Sequence, residues 1–142
     1  MTAGRPFELE LPLVLPELVV EPSAMQVFMF SAITWNRHHI HYSRDAAVRE
    51  GHADVVVQRA LLGNFFARHA QGWLGAAGSV RRLAWKVAAS ALPGQRLCCR
   101  GAVTGGLPGE DELLLRYESD LRDDAGREIA TAWGVLCVGT PC

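Results

Sequence analysis

The sequence lacks a surplus of charge of either sign. Its 142 residues carry 14 Lys and Arg against 15 Asp and Glu, which gives a formal net charge of -1. Proteins that hold nucleic acid by its phosphates usually carry a clear basic excess, so no nucleic-acid partner is expected. The length predicts a single folded unit, and a hydrophobic content of 49% indicates a globular rather than a disordered chain.

Long apolar runs are also missing. No apolar stretch reaches the roughly 18 to 20 residues that a bilayer-spanning helix needs. The first twenty residues contain Glu8, Glu10 and Glu17, and they lack a basic start followed by an unbroken apolar run, which disfavours a signal peptide. We therefore expect no membrane partner and a cytoplasmic location.

The sequence lacks the motifs of several other kinds of site. Its four cysteines include no Cys-x-x-Cys pair, so a zinc ribbon is disfavoured and reduced thiols are the simplest interpretation. Ser31, Ser43 and Ser90 have no Gly-x-Ser-x-Gly context, which disfavours a serine hydrolase. A P-loop and a dinucleotide-binding fingerprint are absent too. We expect no metal and no redox cofactor.

Proline is concentrated at the start of the chain. Residues 1–24 hold four of the seven prolines, and proline fixes its own φ and donates no backbone hydrogen bond. This segment is predicted to be an extended N-terminal arm, either laid on the domain or frayed. Residues 25–142 are predicted to form one domain, beginning with a strand over the apolar run at 25–30.

A short helix and a long helix are predicted in the middle of the chain. Residues 44–50 favour a short helix that Gly51 ends, and residues 55–57 favour a brief buried strand or extended segment. Over residues 60–73 the apolar side chains recur at spacings of three and four, which predicts a long helix buried on most sides.

Everything after the long helix has the pattern of strands. Four are predicted, at residues 79–91, 95–104, 112–121 and 128–138, with turns or loops at 93–94, 105–109 and 123–126. One helix followed by consecutive strands favours an α+β fold in which one antiparallel sheet wraps the helix, since the sheet then buries one face.

A dense group of polar side chains precedes the short helix. Residues 30–42 read FSAITWNRHHIHY and contain three of the five histidines. This stretch resembles the motif of the MaoC-like hydratases and dehydratases, a family with the hotdog fold, in which a His lies five positions after an Asp. Asn36 holds the position of that Asp, His38 and His39 those of an Asn-Pro pair, Ile40 that of an aliphatic residue and His41 that of the His.

Within that family, the block at 30–42 is most similar to the mesaconyl- and itaconyl-CoA hydratase-like branch. The later strands are similar to small MaoC-like subunits of steroid side-chain hydratases. The resemblance implies hydration of a 2-enoyl thioester, or the reverse dehydration of a 3-hydroxyacyl thioester, usually of the R configuration. It implies an acyl thioester of coenzyme A or acyl carrier protein as the substrate, and a homodimer or a heterodimer with another hotdog subunit.

The resemblance makes His41 the general base, and imidazole suits that role because it titrates near neutrality. Asn36 cannot ionise where the family has a carboxylate, although its amide can still hold a water. Three interpretations stay open. His41 transfers both protons while Asn36 positions the water; or a nearby carboxylate, Asp45, Glu50 or Asp54, replaces the missing one; or the chain is an impaired partner subunit.

The resemblance also implies an oxyanion-binding segment at the start of the long helix. The family has a His-Gly pair there, and the glycine N–H points at the thioester oxygen. The matching positions are Gln58 and Arg59, so Arg59, followed by Ala60, is the candidate donor. A backbone N–H survives the change from Gly to Arg, and the unpaired amides at a helix start suit an anion. The Arg59 side chain would crowd the space that glycine leaves free, or would contact a phosphate or carboxylate of the ligand.

The same residues allow other interpretations. The histidines at 38, 39 and 41 could bind a metal, but no Cys, Asp or Glu completes a ligand set within that block. A hotdog thioesterase would use an Asp or Glu to activate water against the thioester carbonyl. The substitution at Asn36 and the arginine at 59 also suit a non-catalytic subunit of a hetero-oligomeric hydratase.

Overall fold

A computed structural model describes residues 9–107 and 112–139, and in this part of the chain one antiparallel sheet packs on one long helix. The helices are α1 (Ala24–Ile33), α2 (Arg44–Arg49) and α3 (Arg59–Leu74). The strands are β1 (Leu13–Val14), β2 (Leu18–Val20), β3 (Gly78–Val87), β4 (Leu97–Leu107), β5 (Leu113–Asp123) and β6 (Glu128–Val138).

The sheet has six antiparallel strands in the order β1, β4, β5, β6, β3, and β2 also pairs with β4. Its centre is a meander in which Leu115 pairs with Leu136 and Leu121 with Ala130. The two short strands of the N-terminal arm both pair with β4. Residues 13–20 of the predicted arm are therefore laid on the edge of the sheet.

Helix α3 supplies the centre of the core. Its buried residues include Leu62, Phe65 and Phe66, each 1% exposed or less, and they pack with residues of the sheet in one apolar cluster. Gly63 lets β3 come close, because a Cβ at this position would lie 2.4 Å from the Trp85 ring. The expected α+β fold, an antiparallel hotdog sheet around one long helix, is confirmed.

A buried hydrogen-bond network ties the arm to α3 and the sheet. The carbonyl of Pro16 can only accept, so His69 donates to it from Nε2 over 2.8 Å. His69 Nδ1 then accepts from the hydroxyl of Tyr117 at 2.7 Å. Burial lowers the pKa of His69, although the bond to Pro16 opposes that change. The imidazole is thus held neutral, with a partner on each nitrogen.

The strand predicted at residues 25–30 is wrong, because these residues lie in α1. The Ser23 hydroxyl accepts a hydrogen bond from the Gln26 N–H at 3.0 Å and so caps the helix. An apolar run of this length fits a strand and a buried helix equally well by periodicity. The Ser-x-x-Gln spacing at 23–26 is a helix-start pattern that distinguishes the two.

The other predicted elements are found with shifted ends. Helix α2 and strand β6 match their predictions closely, while β3 ends earlier than predicted and β4 continues through residues 105–107, where a loop was predicted. The rest of that loop lies outside the described residues. Residues 55–57 are extended and join no ladder, with the Val57 N–H donating to Ala91 O at 2.9 Å. Among the helices of the described residues, none is long and apolar enough to cross a membrane.

Candidate active site

A cavity of about 420 Å³ opens where the segment after α1, the start of α3 and strand β3 meet. All four candidate site residues line it: Asn36, His41, Arg59 and Ala60. These residues are up to 24 positions apart in the sequence, so the fold brings them together. Apolar side chains such as Leu62 and Val87 form other parts of the wall.

His41 is positioned by the segment that leads into α3. It ends a 3-10 turn, His39–His41, and the Val56 N–H donates to the Ile40 carbonyl at 2.9 Å. The His41 Nδ1 lies 2.6 Å from the Val56 carbonyl oxygen. That oxygen can only accept, so Nδ1 carries the hydrogen and Nε2 keeps its lone pair. Among the described residues Nε2 has no hydrogen-bond partner, which leaves it available to a ligand.

The environment of His41 favours the neutral ring. Burial is the largest influence and lowers the pKa of His41 below its usual 6.5. The hydrogen bond to Val56 raises the pKa, and the nearby rings of His38 and His52 lower it further. His41 is therefore unprotonated at neutral pH and can accept a proton through Nε2.

Asn36 lies in a tight turn after α1. Its N–H donates to the Ser31 carbonyl at 2.9 Å, and its side-chain oxygen accepts from the His38 N–H at 3.1 Å. The oxygen is thus already engaged in shaping the turn. The side-chain nitrogen makes no hydrogen bond within residues 9–107 and 112–139, so its two hydrogens are free for a water or ligand.

The three carboxylates considered as replacements do not line the cavity. Glu50 lies beside His38, with 3.8 Å between the carboxylate oxygen and Nε2, and half of its side chain is exposed. Asp54 accepts a hydrogen bond from the Val55 N–H at 2.7 Å, and Asp45 is exposed in the first turn of α2. The geometry therefore disfavours the interpretation in which one of these carboxylates replaces the missing one, and it leaves the other two interpretations open.

The start of α3 presents backbone donors to the cavity. The first hydrogen bond of the helix runs from the Leu62 N–H to the Gln58 carbonyl at 3.0 Å. The N–H groups of Arg59, Ala60 and Leu61 precede it, so they have no acceptor within the helix. Such amides, together with the positive end of the helix dipole, stabilise an oxygen that gains negative charge.

The Arg59 side chain is folded back against β3. Its guanidinium donates to the Trp85 carbonyl at 3.3 Å, and the Trp85 indole N–H donates to the Arg59 carbonyl at 3.0 Å. The guanidinium therefore has a partner in the free chain. Crowding of the space beside the amide and contact with a phosphate or carboxylate of the ligand both stay predictions. The indole contact could not be predicted from the sequence, because nothing in the pattern links positions 59 and 85.

Gln58 has a larger structural role than its sequence position suggested. Gln58 directly precedes α3 and exposes 1% of its surface. Its side-chain nitrogen donates to Val27 O at 2.6 Å and to Ser31 Oγ at 2.8 Å. It also borders the cavity. Its partners lie 27 and 31 positions away, and no local signal identifies them.

A wider depression of about 640 Å³ lies on the exposed side of the sheet, over β4, β5 and β6. None of the predicted site residues lines it. Two of its three charged lining residues already have partners, since Arg100 pairs with Glu17 at 2.8 Å and Asp120 with Arg122 at 2.9 Å; the third is Glu118. No group of three or more His, Cys, Asp or Glu in the described ranges is placed to hold a metal ion. The candidate site is therefore the smaller cavity, which holds the imidazole.

Comparison with known families agrees with this geometry. A family model for hydroxyacyl-thioester dehydratase type 2 matches residues 15–92, more than half of the 142 residues. The chain belongs to this family. The matched segment contains both the turn with Asn36 and His41 and the start of α3. A comparison of the sequence with curated proteins finds no match.

Solved structures of MaoC-like hotdog proteins share the fold of this dehydratase family member. The ChsH1–ChsH2 complex from Mycobacterium tuberculosis is 21% identical, with a TM-score of 0.80 over 89% of this chain and 96% of that one. The (R)-hydratase from A. caviae involved in PHA biosynthesis is 18% identical, with a TM-score of 0.81 over 96% and 100%. A MaoC-like dehydratase from Rhodospirillum rubrum is 14% identical, with a TM-score of 0.73 over 94% and 96%. The resemblance to MaoC-like proteins is confirmed, and placement in the mesaconyl branch stays a prediction.

Proposed function

We propose that this chain adds water to a 2-enoyl thioester, or removes it from a 3-hydroxyacyl thioester, carried by coenzyme A or acyl carrier protein. Its family is one of hydratases and dehydratases. The observation that carries the proposal is the cavity in which His41, Asn36 and the first amides of α3 meet. No metal or cofactor takes part in the proposed reaction.

The proposed hydration begins at His41. Its Nε2 takes a proton from a water, while the bond from Nδ1 to Val56 fixes the plane of the ring and the tautomer. The water oxygen forms a bond to C3 of the enoyl chain, and the electrons of the C2–C3 double bond move towards the thioester oxygen. The amide nitrogen of Asn36 donates to the water oxygen and orients it.

The thioester oxygen gains negative charge in this step, and the N–H groups of Arg59 and Ala60 stabilise it. The protonated His41 then gives its proton to C2. One hydroxyl on C3 and one hydrogen on C2 have been added, which accounts for the whole water and returns the imidazole to its neutral form. Dehydration follows the same steps in reverse.

Crotonyl-CoA is the substrate that tests this function. We expect the purified protein to remove the absorbance of the conjugated enoyl thioester without release of free thiol. His41→Ala should lower kcat/KM by about 10²- to 10⁴-fold, the usual contribution of a general base. His39→Ala is the matched control, because His39 is exposed two positions away and does not line the cavity. Equal activity of the two variants would contradict the assignment.

The assay also separates the thioesterase alternative. Release of free thiol without loss of the enoyl absorbance would identify thioester hydrolysis. That chemistry needs an Asp or Glu near the thioester carbonyl. No described carboxylate lines the cavity, so the geometry favours hydration.

A second candidate function, a non-catalytic hotdog subunit, is favoured by one observation. The cavity lacks a carboxylate among its described residues, with Asn36 where the family has Asp. This candidate predicts that wild type and His41→Ala are equally inactive alone, and that the chain co-purifies with a second hotdog protein. The ChsH1–ChsH2 structure, which shares the fold of this chain, is a complex of two different subunits.

We further propose that the chain pairs with a hotdog subunit, identical or different, through the exposed side of α1. Met25, Phe28, Met29, Ile33 and Trp35 each expose between 46% and 78% of their surface. Residues 22–36 contain no charged side chain. A group of exposed apolar side chains that is rich in Met and aromatics and free of charge is typical of the centre of a protein interface.

The mass in solution tests this pairing. Sedimentation equilibrium should give at least twice the mass of one chain, or a complex with a second hotdog protein when the two are produced together. Ile33→Glu should reduce the assembly to single chains, while Val48→Glu, on the exposed side of α2, should leave it intact. A wild-type protein that stays a single chain and binds no hotdog partner would contradict the proposal.

A further inference from the structure

The side chain of Gln58 is buried with one hydrogen-bonding atom unused. The residue exposes 1% of its surface, and its amide nitrogen donates to Val27 O at 2.6 Å and to Ser31 Oγ at 2.8 Å. The Val27 carbonyl can only accept, so the nitrogen must face it and the orientation of the amide is fixed. The amide oxygen, Oε1, has no hydrogen-bond partner among the described residues.

An unused buried acceptor is costly. A polar atom that is removed from water without a partner loses about 1–3 kcal/mol. Gln58 lines the same cavity as His41 and Asn36. Oε1 is covered in the free chain, so a donor in the cavity reaches it only when ligand binding shifts the groups around this amide.

The chemistry of the proposed ligand identifies that donor. The enoyl chain has no hydrogen to donate, and the thioester oxygen is an acceptor that Oε1 would repel. The amides of the carrier arm lie several bonds from the reacting carbons. Near C3, the donors are the water that adds and the hydroxyl that it becomes.

We propose that Gln58 is a substrate-contacting residue, whose amide oxygen accepts a hydrogen bond from the C3 hydroxyl of the hydroxyacyl thioester and from the water that precedes it. The proposal rests on the proposed function. The water then has a distinct partner for each hydrogen, His41 Nε2 for the one that leaves and Gln58 Oε1 for the one that stays. Asn36 donates to its oxygen from the side-chain nitrogen.

Binding of matched ligands tests the contact. Calorimetry would compare (3R)-hydroxybutyryl-CoA with butyryl-CoA, which differs only in lacking the hydroxyl. We expect wild type to prefer the hydroxylated ligand by about tenfold or more, a difference near 1.4 kcal/mol. Gln58→Met keeps the length of the side chain and removes the acceptor, so the preference should fall to within about twofold of unity.

Ser31→Ala and Gln58→Glu distinguish a contact between Gln58 and the ligand from a purely structural role of Gln58. Ser31→Ala removes one anchor of Gln58 but keeps its oxygen, so the affinities for both ligands should change together and the preference should remain. Gln58→Glu, when protonated, can donate to Val27 O and still accept with its other oxygen, so it should retain most of the preference. Gln58→Leu provides a second variant without an acceptor if Gln58→Met does not fold.

The outcomes are distinct. If Gln58→Met or Gln58→Leu retains the preference, or loses affinity for both ligands in equal proportion, Gln58 is only an anchor between α1 and α3 and this proposal is overturned. If the variants give that result and wild type still hydrates crotonyl-CoA, the proposed function stands and only the role of Gln58 is wrong. If wild type binds neither thioester, both proposals fail.

Discussion

The two ends of α3 use histidine in opposite ways. Near its N-terminus, His41 donates from Nδ1 to a carbonyl and leaves Nε2 without a partner in the described structure, and it lines the same cavity as Arg59. In its C-terminal half, His69 donates to Pro16 O and accepts from Tyr117 OH, so both ring nitrogens are satisfied. Burial lowers the pKa of both rings.

His69 is buried and His41 is only half-buried, but the clearer difference between them is the partner of the second ring nitrogen. A neutral imidazole with both nitrogens paired stabilises the fold, because its polar atoms keep hydrogen bonds without water. A neutral imidazole with one lone pair facing a cavity gives up that contribution and can accept a proton instead. A ring nitrogen without a hydrogen-bond partner therefore distinguishes the two histidines, whereas the direction of the pKa shift does not.

The largest change is expected at the open end of α3. Arg59→Pro removes the N–H of the first helical position, where proline is tolerated, and Gln58 already has the extended φ of -63° and ψ of 141° that proline favours in its predecessor. We expect kcat for crotonyl-CoA to fall by about 10²- to 10³-fold, as when one oxyanion donor is lost. Arg59→Ala keeps the N–H and should stay within several-fold of wild type.

The two variants at position 59 form a matched pair, since both lose the guanidinium bond to Trp85. Circular dichroism would establish that α3 is retained in each. If the two variants are equally active, the Arg59 amide is not an oxyanion donor and the open end of α3 acts through other groups.

A smaller change, of stability and not of rate, is expected at the closed end. Tyr117→Phe removes the hydroxyl that donates to His69 Nδ1 and leaves that buried nitrogen unpaired. The free energy of unfolding should fall by about 1–3 kcal/mol. Urea denaturation measures it, with kcat expected within a few-fold of wild type. A large loss of kcat at full stability would mean that the two ends are coupled.

The smallest effects follow from pH. His69 and His41 both have a pKa below 6.5 in the folded chain, whereas histidine in the unfolded chain titrates near 6.5. Above that value both states are neutral and this contribution to stability is fully present. As the pH falls below 6.5, the unfolded chain gains protons that the folded chain resists, so the free energy of unfolding should decline.

Activity should also decline as the pH falls, but only because His41 becomes protonated. The logarithm of kcat/KM should stay level as the pH falls to 6.5 and decline only below it, when Nε2 becomes protonated. Tyr117→Phe should lower the free energy of unfolding and leave the position of this decline unchanged. A decline that begins above pH 6.5 would contradict the lowered pKa of His41.

The sequence predicted those parts of the fold that rest on local patterns. Alternation of side chains and a hairpin turn gave β6, Glu128–Val138, with the observed ends, and the apolar spacing gave α3 within one residue of its ends. The apolar run at residues 25–30 by itself predicts a strand, whereas the serine that precedes it caps a helix. The cap, not the composition, decides the structure there.

For the candidate site, too, local patterns predicted the residues but not the long-range contacts that position them. The motif at 30–42 and the helix start gave four residues that line one cavity. The contacts that position them join distant parts of the chain: Val56 to His41, Trp85 to Arg59, and Val27 and Ser31 to Gln58. Such pairs depend on tertiary packing, and one sequence contains no local signal for them.

The two buried residues of α1, Val27 and Ser31, are the ones that hold the Gln58 amide. The opposite side of that helix carries the apolar surface that we assign to a neighbouring subunit. The proposed assembly and the proposed water addition would therefore share one helix of ten residues, one side for each. Under both proposals, any tilt of this helix when a neighbour docks would displace the Gln58 amide and would couple turnover to quaternary structure.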